Sequence, residues 1–331
     1  MSSKTRLFWF AALAAVAMQP ALAQRAAAAA AADYPTKFIR LVVPYAAGAG
    51  PDVLARILSA KIEPSLGQKI VLDNRGGGGG ALGSTIVAKA APDGYTLLLN
   101  TKAHASYTFF IKNLAYDPRK DLTPITLVVK NFGYVLVIHP GMSARSVKDL
   151  IAFAKANPGK VNFGTAGLGS AMQMAAELLV HLTGTKMTAV HYTGVPAALT
   201  DIMSGQIQFG FPAVASVLPL INSGKLRVLA ISNDRRWDKL PNVPTIAESG
   251  VKDYVYVGWY GMWFPGGTPA AYVNRIQKEI AQAVKDPTVR KRLDEQGLEG
   301  VGSTAQELVK ATEEELALNK TLTAAMGIVP Q

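Results

Sequence analysis

Short apolar runs alternate with amphipathic segments along the first third of the chain. The run over residues 38–43 ends at Pro44, and residues 51–62 then carry apolar side chains at helical spacing. Apolar runs over 69–72 and 95–100 flank a further predicted helix over 81–90. Strands that alternate with helices in this way predict βαβ units with a parallel sheet.

The same pattern restarts after residue 133. It predicts strands over 134–138, 161–164, 186–190, 206–211 and 228–231, with helices over 146–156, 171–183 and 197–204. An aromatic, β-forming stretch over 255–264 follows, then amphipathic segments, and Thr304 with Glu307 forms a capping box for a last helix. These late helices need a sheet to cover, and the first unit supplies it.

We therefore expect an α/β protein of two domains, each a mostly parallel sheet flanked by helices. The first domain is discontinuous and comprises residues 34–130 plus 255–331, and the second comprises residues 131–254. The chain crosses between them twice, near residues 128–134 and 251–261, and two such segments make a hinge that closes around a ligand.

The N-terminal segment has the layout of a secretory signal peptide. Lys4 and Arg6 precede an apolar run over 7–18, Pro20 follows, and Ala21 and Ala23 supply small residues for cleavage. The run of about 12 residues is shorter than the ~20 that span a bilayer. We expect cleavage near Ala23, an Ala-rich disordered segment over 24–33 and a soluble, periplasmic mature chain.

Composition excludes several kinds of site. The chain has no cysteine, which excludes disulfides, thiolate metal sites, a Cys nucleophile and a lipid-modified N-terminal Cys. Its 4 histidines lack metal-ligand spacing, and neither the dinucleotide fingerprint nor a Walker A loop is present. We therefore expect no metal and no cofactor. The net charge of +11 suits an anion-binding protein, whereas export argues against nucleic acid as a partner.

Small residues join a strand end to a helix start in three loops, over residues 45–52, 75–84 and 165–170. Helix N-termini offer unpaired N–H groups and a positive dipole end, so a carboxylate or a phosphate is the natural ligand. The hydroxyls of Thr165 and Ser170 add possible hydrogen bonds. The alternative, that the glycines only permit tight turns, stays open for each loop. For His104 and His191, which follow predicted strands, ligand contact and a structural role are equally open.

Many ordered motifs carry a resemblance to one family. They include IRLVVPYAAG at 39–48, DVLAR at 52–56, NRG at 74–76, VAKAAPDGYTL at 87–97, YDP at 116–118, AKANPGK at 154–160, GKLR at 224–227 and LPNVPT at 240–245. The chain resembles the periplasmic substrate-binding proteins of tripartite tricarboxylate transporters, the Bug or TctC family, over almost the whole mature length.

The resemblance implies a Venus-flytrap binding protein without catalysis. It would capture a small organic carboxylate, a di- or tricarboxylate or an aromatic acid, and deliver it as a monomer to the membrane subunits of the transporter. Carried over to this chain, the ligand-binding positions are Tyr45, Ala46, Ala47, Gly48, Asp52, Thr101, His104, Ala105, Thr165, Ala166, Gly169, Ser170, His191, Tyr192, Phe211 and Pro212.

Two departures from the family pattern affect this expectation. Five glycines follow Arg75 where the family usually has Arg-Pro-Gly-Ala-Gly-Gly, which predicts a looser loop. Pro212 follows Phe211 where many members carry an acidic or amide residue, which argues against a ligand with a distal amine and predicts an apolar or aromatic distal wall. Two other functions stay open: a periplasmic ligand subunit that feeds a sensor kinase, and an exported hydrolase that uses Ser170 or His191.

Overall fold

The computed structural model describes residues 33–76, 80–328 and 330. The predicted signal peptide, and all of the predicted Ala-rich segment except Asp33, lie outside these residues. Among the helices of this described part, none is both long and apolar enough to cross a membrane.

The first sheet has six strands in the order β11-β4-β10-β3-β1-β2. β1 pairs in parallel with β2 and β3, whereas β10 runs antiparallel to β3 and β4, and β11 runs antiparallel to β4. The strands are β1 (Ile39–Val43), β2 (Ile70–Asn74), β3 (Thr96–Thr101), β4 (Leu122–Asn131), β10 (Trp259–Pro265) and β11 (Leu298–Gly300).

Helices cover both faces of this sheet because its strands are apolar on both sides. Leu41 and Val43 of β1 pack into one core, and Val42 between them packs into the other, as expected for a strand period of two. One face is covered by α1 (Gly50–Leu66), α8 (Ala270–Ala283) and α9 (Pro287–Glu295), and the other by α2 (Ala81–Ala88), α3 (Ala103–Phe110) and α10 (Ala305–Ala325).

The second sheet has five strands in the order β7-β6-β8-β5-β9. β6 pairs in parallel with β7 and β8, and β5 runs antiparallel to β8 and β9. Its elements are β5 (Val135–Ile138), α4 (Val147–Ala156), β6 (Val161–Thr165), α5 (Ala171–Thr183), β7 (Met187–His191), α6 (Val195–Met203), β8 (Phe209–Gly210), α7 (Val214–Asn222) and β9 (Arg227–Ile231).

The α/β class is confirmed, but the sheets are mixed and not mostly parallel as predicted. The aromatic stretch becomes β10, which inserts between β3 and β4. The chain returns from the second sheet beside the C-terminal ends of β3 and β4, so β10 begins there. It therefore runs antiparallel to both strands. β5 begins directly after the first crossover, and it likewise runs antiparallel to β8 and β9.

The two crossovers are hydrogen-bonded to each other and lie inside the ranges expected for a hinge. Asn131 N–H donates to the carbonyl of Gly258 at 2.8 Å, and Gly258 N–H donates to Asn131 Oδ1 at 2.7 Å. Ser232 Oγ accepts from Tyr134 N–H at 2.7 Å and donates to the carbonyl of Tyr256 at 2.6 Å. A side chain at position 258 would overlap Asn131 and Tyr134, so glycine is required for this close approach.

Helix α10 contacts both halves of the molecule. Leu308, near its start, is buried against Trp263 of the first sheet's unit. Leu322, near its end, is buried in the core of the second unit, where α10 packs against α5. The last helix therefore makes a third link between the halves, beside the two crossovers.

Candidate functional site

The first small-residue loop joins β1 to α1 and presents its backbone outward. Ala46, Ala47 and Gly48 are exposed, and Ala49, the N-cap of α1, makes no side-chain capping bond. Within the described residues, the N–H groups of Ala46 and Ala47 donate no hydrogen bond. A loop at a helix N-terminus with free N–H groups suits an anion.

Asp52, in the first turn of α1, fixes the conformation of this loop. Its carboxylate is 1% exposed and accepts from Gly48 N–H at 2.8 Å, from Arg56 Nε at 2.9 Å and from Asn74 Nδ2 at 3.1 Å. Burial alone raises the Asp52 pKa, but the bonds from Arg56, Gly48 and Asn74 outweigh it and lower the pKa overall. Asp52 is one of the expected ligand-binding positions, and in the structure both of its carboxylate oxygens accept hydrogen bonds that fix the loop.

A buried network connects this loop to the end of β3 and to α2. Tyr45 Oη donates to Asn100 Oδ1 at 3.0 Å and shares a hydrogen bond with Thr101 Oγ1 at 2.8 Å. Asn100 Nδ2 donates to Ser84 Oγ at 2.8 Å, and both of these residues are fully buried. The sequence reasoning missed Asn100 and Ser84. The asparagine that ends the apolar run YTLLLN was the available signal.

The second loop joins β6 to α5, and side chains at the start of α5 accept hydrogen bonds from its N–H groups. Ser170, the N-cap of α5, accepts from Ala166 N–H at 3.2 Å and from Gln173 N–H at 3.3 Å. Gln173 Oε1 accepts from Gly169 N–H at 2.8 Å. A hydroxyl that accepts two bonds keeps its own O–H for a further acceptor, so Ser170 can still donate to a ligand.

His191 and Tyr192 lie beside the second loop at the end of β7. His191 is exposed, and its Nδ1 is hydrogen-bonded to the buried Thr165 Oγ1 at 2.9 Å. Tyr192 donates to Asp201 at 2.6 Å, and burial together with this carboxylate raises the Tyr192 pKa to about 12. The hydrogen bond that the structure shows for His191 is thus with Thr165, and among the described residues none joins it to Ser170.

Helix α3 connects the two loops. It follows Thr101, which bonds Tyr45, and it ends at Phe110, whose ring lies 2.9 Å from an ideal Cβ placed on Gly169. The helix has 8 residues and is therefore about 12 Å long. The structure thus brings the first loop, Thr101 and the second loop around one short helix.

Besides Asp52 and Thr165, four of the expected ligand positions are buried. Burial lowers the pKa of His104 to about 3, and its fully buried ring packs 4.4 Å from the ring of Trp263. Ala105 is also fully buried. Phe211 stacks on Tyr254 inside the second core, and Pro212 is buried beside it. Phe211 itself therefore does not supply the expected apolar distal wall, because its ring faces the core.

The donors around the two loops are neutral N–H and O–H groups, which suit a carboxylate and not a metal ion. In the described part of the chain, no group of three or more His, Asp or Glu side chains is placed to hold a metal.

Comparison with known proteins identifies the family. The model of the tripartite tricarboxylate transporter family receptor, TctC, matches residues 54–328. BugT of Bordetella pertussis is 34% identical over 294 residues, which cover 88% of this chain and 90% of BugT.

Solved structures show the same similarity. Rpa4515 of R. palustris, solved with adipate, is 31% identical with a TM-score of 0.79, covering 90% of this chain and 100% of that one. MatC from Rhodopseudomonas palustris, with bound malate, is 28% identical with a TM-score of 0.76, covering 88% and 100%. These similarities confirm the two-domain binding-protein fold expected from the sequence. The chain therefore belongs to the tripartite tricarboxylate transporter receptor family, TctC, whose members are periplasmic solute-binding proteins.

Proposed function

We propose that this protein captures a small organic carboxylate, a di- or tricarboxylate or an aromatic acid, between the loops at 45–48 and 165–170. The observation that carries the proposal is a pair of strand-to-helix loops at the two ends of α3. In the first loop the N–H groups of Ala46 and Ala47 donate no hydrogen bond within the described residues, and in the second the Ser170 hydroxyl keeps its O–H for a further acceptor. Carboxylates are favoured at such helix N-termini. The adipate and malate bound by Rpa4515 and MatC, both dicarboxylates, support the assignment.

We propose further that the protein has two domains and works with a membrane transporter. Residues 34–130 plus 255–331 form one domain and residues 131–254 the other, and they close about the crossovers at 131–134 and 255–258. The mature protein, cleaved near Ala23, acts as a monomer without a cofactor or catalysis. It delivers its ligand to the membrane subunits of a tripartite tricarboxylate-type transporter.

A ligand screen tests this function directly. Mass spectrometry of the protein as purified identifies any co-purified acid, and thermal shift measurements then compare adipate, malate, citrate and benzoate with amino acids. We expect at least one of the carboxylates to raise the melting temperature and the amino acids to leave it unchanged. Stabilisation by amino acids alone, or by none of these compounds, would contradict the proposal.

The Ser170 hydroxyl is expected to contribute one hydrogen bond to the ligand. Ser170→Ala should weaken binding of the tightest carboxylate from the screen by about 0.5–1.5 kcal/mol, the net value of a neutral hydrogen bond, or by more because the ligand group is charged. Isothermal titration calorimetry measures the change.

A second N-cap serine provides the control. Ser146 caps α4 by accepting from Asp149 N–H at 3.1 Å, in a position outside the proposed site. Ser146→Ala should cost about 1 kcal/mol of stability and leave the affinity unchanged. An unchanged affinity in Ser170→Ala would remove Ser170 from the site.

A further inference from the structure

Two ion pairs join the halves of the molecule on other elements than the loops at 45–48 and 165–170, which we call the cleft loops. Arg235 Nη2 donates to Glu299 Oε2 at 2.6 Å, and Lys239 Nζ lies 3.0 Å from Asp294 Oδ2. Lys239 also donates to the main-chain carbonyl of Asp294 at 2.9 Å. The two cations follow β9 of the second sheet, whereas Asp294 lies in the last turn of α9 and Glu299 lies on β11 of the first unit.

Two aromatic rings support these cations. Phe132, in the first crossover, stacks on Trp237 with ring centroids 5.4 Å apart. The Arg235 guanidinium lies 5.8 Å from the Phe132 centroid, and Lys239 Nζ lies 5.3 Å from the Trp237 centroid, both within cation–π range. We call the six residues the rear clamp: Phe132, Arg235, Trp237, Lys239, Asp294 and Glu299.

The strand order places the hinge between the rear clamp and the cleft loops. In the first sheet, β4 and β10 carry the crossovers, β11 lies on one side of them, and β3 and β1 lie on the other. A strand spacing of about 4.8 Å puts β11 about 7 Å from the hinge midpoint, and β3 and β1 about 7 and 12 Å away in the opposite direction. In the second sheet, β9 is likewise at the opposite edge from β6 and β7.

Rotation about the hinge therefore moves the two sides in opposite senses and by similar amounts. The Arg235 and Lys239 hydrogen bonds are formed at the interdomain angle of this structure, and a rotation larger than these side chains can follow breaks them. At that same angle, Gly169 of the second loop rests against Phe110 of α3. The rear contacts and the contact of the second loop with α3 thus occur together.

We propose that the rear clamp is a positioning device that holds the unliganded protein near the angle at which the second loop contacts α3, and so raises ligand affinity without touching the ligand. The affinity half of this proposal rests on the proposed function. A receptor whose binding-competent state is only partly populated binds more weakly in proportion to that fraction. Loss of the clamp therefore raises the apparent Kd.

The test variant is Glu299→Gln combined with Asp294→Asn, which removes both anions and keeps their size. The matched control is Glu313→Gln, which removes an exposed pair with Arg119 at 2.8 Å that does not span the hinge. Because the chain has no cysteine, Lys89→Cys and Lys186→Cys, at exposed positions in the two halves, supply spin labels. Pulsed electron paramagnetic resonance on the ligand-free protein measures the distance between the two labels, which reports the interdomain angle. Isothermal titration calorimetry with adipate measures the affinity.

We expect the double variant to broaden the distance distribution and to weaken adipate binding by about three- to tenfold, with Glu313→Gln matching the parent chain. Salt at about 0.5 M should broaden the parent distribution and leave that of the double variant unchanged, because it screens the exposed pairs. If the distance distribution of the double variant is as narrow as that of the parent chain, the proposal is overturned. If the distribution is broadened but adipate affinity is unchanged, the clamp sets the interdomain angle without raising affinity, and that part of the proposal is overturned. A broadened distribution in a protein that binds no carboxylate supports the clamp and refutes the proposed function.

Discussion

Replacing Lys102 by methionine is expected to lower the free energy of unfolding by about 3–5 kcal/mol, the usual cost of breaking a buried ion pair. Lys102 and Glu315 have side chains only 5% and 6% exposed, and Nζ donates to Oε2 at 3.0 Å. Burial lowers the Lys102 pKa, and Glu315 opposes that shift. Without the ammonium, the Glu315 carboxylate is left unpaired in the interior, and its Oε1 already has no partner among the described residues.

Two further variants make this expectation specific. Lys102→Met combined with Glu315→Met replaces the pair by apolar groups and should recover most of the lost stability. Lys310→Met is the matched exposed case on α10, because Lys310 lies 3.9 Å from Glu314 with both side chains well solvated. It should change stability by less than about 0.5 kcal/mol. Chemical denaturation measures all three, and a Lys102→Met variant as stable as Lys310→Met would contradict the argument.

The Lys102–Glu315 pair also shows where sequence reasoning stops. Lys102 follows the apolar run of β3 in the chain, where a lysine is typically solvated, and nothing local indicates a partner on the last helix. Nζ also lies 3.3 Å from the centroid of the Tyr256 ring, in the second crossover. Contacts between such distant segments depend on how β10 and α10 return to the first sheet. The return of β10 also makes the first sheet mixed. The sequence pattern did not predict the mixed sheet because it does not show where a distant segment inserts.

Local features, in contrast, were predictable. The loops at 45–48 and 165–170 lie where small residues separate an apolar run from a helical pattern, and the structure places both at strand-to-helix junctions. The capping box of Thr304 and Glu307 is present as predicted. Periodicity and capping are properties of a few consecutive residues, and they survive in any tertiary setting.

The direction of individual side chains was not predictable from such features. His104 follows a strand end, but the inner face of α3 is set by Trp263 on β10, so the ring turns into the core. Phe211 likewise faces Tyr254, which lies far away in the sequence. Asp52 is an acid near a helix start, and only the positions of Gly48 and Asn74 show that it fixes the loop.

Gly169→Ala is expected to weaken carboxylate binding at least about tenfold, because two effects coincide at this position. Gly169 has a φ of +72°, a conformation that costs an L-residue roughly 1–2 kcal/mol. Its new Cβ would also lie 2.9 Å from the Phe110 ring, so the second loop must move away from α3. That movement displaces Ser170 and the hydrogen bond that its hydroxyl accepts from Ala166 N–H.

Gly184, at the other end of the same helix, separates backbone strain from displacement of the loop. It has a φ of +60°, but nothing lies within 4 Å of an added Cβ. Gly184→Ala should therefore lose stability through the backbone alone and keep the parent affinity, whereas Gly169→Ala should lose both. Calorimetry and denaturation on the two variants give the comparison. Equal affinities would mean that the contact between the second loop and α3 has no part in binding, so that the cleft loops act independently of the helix that joins them.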